Sequence, residues 1–148
     1  MKDKVFIDTN VLIYAYSETE PDKKDTTLTI LENYHIVFSI QVINEFIWVM
    51  NKKYKIDFKI LQALLDRFWE KFEVTLLQKT SIDQALSIAQ RYKYSYWDSL
   101  ILSSALENGC KVLYTEDMQD GQTIDGKLKI ENPFKWSLIS QKLHLPFI

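Results

Sequence analysis

Four short runs rich in β-branched and aromatic residues punctuate the chain: KVFID (Lys4 to Asp8), HIVFS (His35 to Ser39), EVTLL (Glu73 to Leu77) and KVLYT (Lys111 to Thr115). The stretches between them carry helical patterning. A continuous apolar run, without polar alternation, suits a strand buried on both faces, as in parallel sheets. Parallel neighbours need crossover connections of about a dozen residues or more, usually helices. The expected fold is therefore α/β, with a three-layer α/β/α arrangement around a central, mostly parallel sheet. KLKI (Lys127 to Ile130) is a fifth strand candidate.

Helices are expected over Asn10 to Tyr16, Thr26 to Tyr34, Ile40 to about Tyr54, from Asp57 to about Phe72, Ser81 to Tyr92 and about Tyr96 to Asn108. Ser39 and Asp57 are placed to cap two of them, and Gly109 suits a C-terminal stop. SETEPDKKD, from Ser17 to Asp25, reads as a polar turn. No repeat, low-complexity tract or Pro/Ser linker divides the chain, so residues 1–148 are expected to form a single domain. With 47% hydrophobic residues, three glycines and three prolines, the composition is that of a packed core rather than a loop-rich scaffold. The lone cysteine, Cys110, excludes an internal disulfide and a cysteine-type zinc site, and reads as a small buried hydrophobe. The opening MKDKVF has no positive-then-apolar leader. No apolar stretch approaches the roughly 20 residues that span a bilayer. A soluble cytoplasmic protein, with no membrane partner, is the expectation.

Four acids sit where acids are costly. Asp8 interrupts VFI-D-TNVLI, and a buried charge costs several kcal/mol, on the order of a core mutation, unless it is paired or binds a cation. Glu45 lies in IQVINEFIWVM, a segment apolar nearly all round and so with few routes to water. Asp98 follows two aromatics in YSYWDSLI, and Asp117 follows a strand in LYTEDM. Each has an ordinary explanation: a cap for Asp8, a narrow wetted stripe of Gln41, Asn44, Glu45 and Trp48, a Ser95-to-Asp98 capping box, a turn at Asp117. Taken together they point elsewhere, because Asp8 and Asp117 both fall at the carboxyl end of predicted strands, where ligands of open α/β sheets bind. Two carboxylates about 4 Å apart repel by roughly 4 kcal/mol at an effective dielectric near 20. Four in one place require protons or a divalent cation. Oxygen-only ligands favour Mg²⁺ or Mn²⁺ over zinc, and neither His35 nor His144 lies near the acidic segments in sequence.

IDTNVLIY, INEF, YWDSLI and LYTEDM, in that order from Val5 to about Gly121, resemble the PIN-domain ribonucleases, and most of all the VapC-type toxins of toxin–antitoxin pairs. That resemblance implies a Mg²⁺-dependent endoribonuclease that prefers single strands and in which Mn²⁺ can substitute. It implies that Asp8, Glu45, Asp98 and Asp117 are both the catalytic acids and the metal ligands. Thr9, Asn10 and Thr115 would orient ligands or water beside them. Glu116 departs from the pattern by setting two acids side by side, and Asp117 is chosen as the inward one from the T-x-D spacing. Products with 5′-phosphate and 3′-hydroxyl ends, an antitoxin protein as partner and a homodimer are further implications.

The net charge of −2 neither requires nor excludes a phosphate-bearing substrate. Lys23, Lys24, Lys52, Lys53 and Lys55 form local basic clusters that can hold flanking phosphates or simply face water. The large apolar residues Phe46, Trp48, Phe68, Trp69 and Phe72 on two consecutive helices read as core, with any surplus available for a partner. Three rival functions stand beside the ribonuclease. A haloacid-dehalogenase-like phosphatase would need a second acid where this chain has Asn10. A catalytically silent PIN-like module would bind RNA or protein, and a nuclease of the same fold could act on DNA, since phosphate contacts do not read the 2′-hydroxyl.

Overall fold

The computed structural model describes residues 2–135; His144 lies outside them. In chain order the elements are β1 (Lys4–Ile7), α1 (Thr9–Tyr14), α2 (Pro21–Asn33), β2 (His35–Ser39), α3 (Ile40–Lys52), α4 (Phe58–Lys71), β3 (Glu73–Thr75), α5 (Lys79–Tyr92), α6 (Tyr96–Glu107), β4 (Val112–Tyr114), β5 (Thr123–Ile124) and β6 (Leu128–Glu131). The strands form one six-stranded sheet in the order β3-β2-β1-β4-β6-β5. All neighbours are parallel except β5 and β6. This is the three-layer α/β/α architecture that the alternating pattern called for.

Strand β1 lies at the centre, with Phe6 beside Val37 of β2 and Leu113 of β4. The chain first builds outward from β1 to β2 and β3, then crosses to the other side of β1 to lay down β4 and β6. Strand order therefore reverses between β1 and β4, which opens a crevice at their carboxyl ends. Phe6, Ile7, Val37, Phe38, Leu113 and Ile130 are fully buried, as expected for strands covered on both faces. Of the aromatics on α3 and α4, Phe46 and Phe68 enter the core, with ring centres 5.6 Å apart, and Phe38 from β2 completes the cluster 6.0 Å from Phe68. Trp48 and Trp69 stay outside it.

Two local expectations need correction. The polar stretch before Thr26 is largely helix, because α2 starts at Pro21 with Asp22 in its first turn. Proline at the first helical position loses no hydrogen bond, and an acid there complements the helix dipole. Strand β5 went unpredicted because it is only two residues long. Its signal was the Asp125-Gly126 pair, both at positive φ, which makes the tight turn that folds β5 antiparallel onto β6. Elsewhere the caps behave as expected. Ser39 Oγ accepts from the Val42 amide at 3.4 Å, Asp57 from Lys59 at 3.0 Å, and Gly109 follows α6 at φ +68°. Cys110 is buried, and burial pushes its thiol up to about 12, so it stays protonated and packs as a hydrophobe. No helix among the described residues is long and apolar enough to cross a membrane.

Candidate active site

Asp8 follows β1 directly and caps α1. Its backbone remains in the sheet, donating to the Tyr114 carbonyl at 3.1 Å, while its Oδ1 accepts from the Thr9 amide at 2.7 Å. Thr115, at the end of the neighbouring β4, donates its hydroxyl to Asp8 Oδ2 at 2.8 Å. The side chain is thus fixed by two strands at once and is only 7% exposed. Burial, opposed by these hydrogen bonds but reinforced by the charges of Glu45 and Asp117, raises its pKa from 3.8 to about 6.

The other acids arrive on different elements. Ser39 ends β2 and starts α3, so Glu45 stands less than two turns from the same sheet edge. Its Oε2 accepts from Thr9 Oγ1 at 2.7 Å and its Oε1 from Gln41 Nε2 at 3.4 Å. Glu45 is exposed together with Asn44 and Trp48, as a wetted stripe on α3 would have it, whereas Gln41 of that stripe is buried. The loop after β4 brings the exposed Asp117 to the start of α1. Its amide donates to Thr115 Oγ1 at 3.2 Å, and its carboxylate accepts from Asn10 Nδ2. Glu116 turns the other way. It accepts from the Tyr14 hydroxyl at 2.6 Å and pairs with Lys23 at 3.2 Å. Asp117 and Glu116 therefore have different partners, Asn10 for the first and Tyr14 with Lys23 for the second.

Asp98 sits in the first turn of α6. Ser95 Oγ accepts from the Asp98 amide at 3.1 Å, so the predicted cap is present. Its carboxyl also belongs to the acidic group. Burial raises its pKa first, then the charge of Asp117, then that of Glu45, with a Ser95 hydrogen bond acting against them. Capping and membership of the site are compatible roles for one residue. Glu45, Thr9, Asp8, Thr115, Asp117 and Asn10 thus form a continuous chain of polar contacts at the crevice, and Asp98 adjoins it through its charge.

Sequence reasoning passed over the role of Gln41. It is buried, and its Nε2 also donates to the Trp97 carbonyl at 3.2 Å, tying α3 to the start of α6. Its position one turn before Glu45 on the same helical face was the available signal.

Among the described residues no lysine or arginine pairs with Asp8, Glu45, Asp98 or Asp117. The nearby Lys23 is engaged by Glu116. Also among these residues, no three His, Cys, Asp or Glu side chains are gathered tightly enough to hold a metal ion as they stand. The carboxylates instead rest on the Thr9, Asn10 and Thr115 donors. In kind, the donor set suits a hard divalent cation: oxygen only, negative and without a counter-charge. Gln41, which contacts Glu45 through its Nε2, has a buried Oε1 without a hydrogen-bond partner.

The signature of the PIN domain matches residues 5–119. The chain belongs to the PIN-domain family. No curated protein sequence matches it, but solved structures share its fold. A toxin–antitoxin complex from Klebsiella pneumoniae aligns with a TM-score of 0.65 and 21% identity, over 87% of this chain and 97% of the other. VapC20 from Mycobacterium tuberculosis, a toxin that cleaves the sarcin–ricin loop, aligns with a TM-score of 0.63 and 17% identity, over 76% of this chain and 89% of its own. VapBC2 from Rickettsia felis, bound to a DNA fragment from its promoter, gives 0.62 and 21% over 87% and 98%. The PIN domain described here therefore shares its fold with toxins of this type along nearly their full lengths.

Proposed function

We propose that this PIN domain is a Mg²⁺-dependent endoribonuclease that prefers single strands, and the toxin of a toxin–antitoxin pair acting in the cytoplasm. The observation that carries the reading is the state of Asp8: a buried carboxyl raised to about 6, beside two further carboxylates and with no paired cation. Asp8, Glu45, Asp98 and Asp117 would hold Mg²⁺, with Mn²⁺ able to substitute. When bound, such a cation supplies Lewis acidity, making water a better nucleophile near neutral pH and offsetting charge on the scissile phosphate.

The chain's own residues do the positioning. The Thr115 hydroxyl and Thr9 amide fix both oxygens of Asp8 before any substrate arrives. Thr9 Oγ1 and Gln41 hold Glu45 from two sides, and Asn10 holds Asp117. The donors come from the start of α1, from α3 and from the residue that follows β4, so the acids are held from several elements around the end of β1. Products would carry 5′-phosphate and 3′-hydroxyl ends.

The neighbouring toxin–antitoxin structures support an antitoxin protein as partner for this chain too. A groove suits it: a cavity of about 240 Å³, apolar at Ile13, Tyr16, Met50, Tyr54 and Ile56 and polar at Ser17, Glu18 and Thr19, adjoins an apolar stretch of α4 at Ile60 and Leu64. Lys59 and Arg67 lie at its α4 margin, fitting a partner segment that mixes apolar and acidic residues. Leu76, Ile82 and Leu86 are exposed at and beside α5 and would serve a second copy in a homodimer.

Purified protein with Mg²⁺ or Mn²⁺ should cut single-stranded or looped RNA, and EDTA should stop it. Gel analysis of an RNA and a DNA of the same sequence separates this reading from the DNA-directed rival, and intact RNA under every metal condition would remove it. Glu116→Gln should change the cleavage rate by no more than about threefold, since Glu116 faces Tyr14 and Lys23 rather than the acids. A loss as deep as that of an inward acid would mean that the two neighbours had been assigned the wrong way round.

A further inference from the structure

Helix α3 carries more than Glu45 on its crevice-facing stripe. Gln41, Glu45, Trp48 and Lys52 recur at intervals of four, three and four residues, so they line one face of the helix. Polarity changes along that stripe in a defined order: a carboxylate in the acidic group, then an indole, then an ammonium. The indole of Trp48 is 63% exposed, and Lys52 Nζ stands 5.2 Å from its ring centre. With about 1.5 Å of rise per residue, Trp48 lies about 4.5 Å beyond Glu45 along the helix and Lys52 about 10.5 Å beyond it. That is the scale of one to two nucleotides.

A second exposed indole stands at the start of α6, next to Asp98 in the chain. Trp97 immediately precedes Asp98 and is 64% exposed, and its ring is braced edge-on by Tyr96 at 5.3 Å. Its carbonyl is held by Gln41 at 3.2 Å, and the same Gln41 nitrogen reaches Glu45 at 3.4 Å. The Trp97 backbone is thereby fixed to the acidic group. Two tryptophans left mostly in water at the edge of one small site are unusual for so apolar a residue. They contribute little to the core, which is completed without them.

We propose that Trp48 and Trp97 are stacking platforms for unpaired bases on either side of the scissile phosphate, with Lys52 meeting the backbone beyond Trp48. The proposal rests on the ribonuclease reading and specifies how that site selects its substrate. Aromatic faces stack with any base, but only with bases not already stacked in a duplex. Single-strand preference would then arise from these indoles, while the acids supply the chemistry. Lys52 adds a phosphate contact that salt should weaken.

The test separates binding from cleavage. Binding of a ten-residue oligoadenylate and of a blunt RNA duplex is measured in EDTA, by fluorescence anisotropy, for wild type, Trp48→Ala, Trp97→Ala and the two Trp→Phe variants. Each alanine variant should bind the oligoadenylate about 5- to 150-fold more weakly, from about 1–3 kcal/mol per stacked base. Phenylalanine should restore much of the loss, and the weak duplex binding should not move. Melting temperatures should stay close to wild type, since both side chains are exposed. In Mg²⁺, KM for a single-stranded substrate should rise with kcat nearly kept. Alanine variants that bind the oligoadenylate as wild type does would overturn the inference while leaving the nuclease reading intact. A shift from dimer to monomer in sedimentation, with RNA affinity unchanged, would likewise overturn it and assign the indoles to a second copy. Failure of wild type to bind or cut any RNA would remove the nuclease reading itself.

Discussion

Asp8→Asn is expected to lower RNA cleavage on the order of a thousandfold or more while making the metal-free protein more stable. The two effects have one cause. Asp8 is buried among other negative charges, and its pKa stands at about 6 against an ordinary 3.8. The folded protein therefore binds this proton more tightly than the unfolded chain does. Below about pH 4 both states are protonated and the group has no effect on stability. As pH rises from about 4 to about 6 the unfolded chain releases the proton first, so folding stability falls. Above about 6 the penalty reaches a plateau of about 3 kcal/mol, from about 1.4 kcal/mol per pH unit of difference. Asparagine preserves shape and removes the charge, so metal-free melting near pH 7.5 should rise by several degrees. The wild-type decline in stability between pH 4 and 6 should flatten in the mutant. On the proposed metal-dependent reading cleavage should collapse, because the change removes a carboxylate charge held where β1 and β4 end. A mutant that cuts RNA at the wild-type rate would place the chemistry elsewhere. One that melts lower at pH 7.5 would show that Asp8 is stabilised as a carboxylate, against the sign argued here.

Mg²⁺ is expected to raise the wild-type melting temperature by roughly 5–10 °C, and Asp98→Asn should lose most of that gain. A ligand at a hundredfold excess over its dissociation constant stabilises the folded state by about 2.7 kcal/mol, and a domain of this size shifts by about 2–4 °C per kcal/mol. Without metal, Asp98→Asn should melt slightly higher than wild type, because burial and the charges of Asp117 and Glu45 all disfavour its ionised form. If Asp98 acts only as an acid at the start of α6, both signs change. Asparagine would forfeit a favourable charge near the helix N-terminus and melt a little lower. Mg²⁺ would then stabilise mutant and wild type equally. Four melting curves, each protein with and without Mg²⁺, distinguish these outcomes. The result bears directly on a site whose carboxylates rest on Thr9, Asn10 and Thr115 and would have to turn from those partners to surround a cation.

The sheet was legible in the chain because a fully buried parallel strand needs a continuous apolar run. KVFID, HIVFS and KVLYT each meet that condition, and the structure seats each between or beside parallel neighbours. The acids were legible for the complementary reason: Asp8 breaks a run in which any charge is costly. Glu45 shows the limit of that logic. Its helix is apolar enough to suggest burial, yet Glu45 is exposed, since a periodic pattern does not say which face meets the crevice. Strand β5 was missed because two residues carry no periodicity, although the Asp125-Gly126 turn was readable.

What the sequence determined by itself was the α/β class, the parallel sheet and the positions of four acids in or beside apolar runs. These depend on local composition and period, which one chain displays in full. Only the tertiary structure decided how those acids relate. It brought β4 beside β1 rather than beside β3, and so joined Asp8 to Thr115 across more than a hundred residues of chain. It set Glu116 against Tyr14 and Lys23 and left Asp117 facing Asn10. It tied α3, which carries Glu45 and Trp48, to the start of α6, which carries Trp97 and Asp98, through Gln41. Pairing order and side-chain direction depend on contacts between residues remote in sequence, which the chain alone does not display.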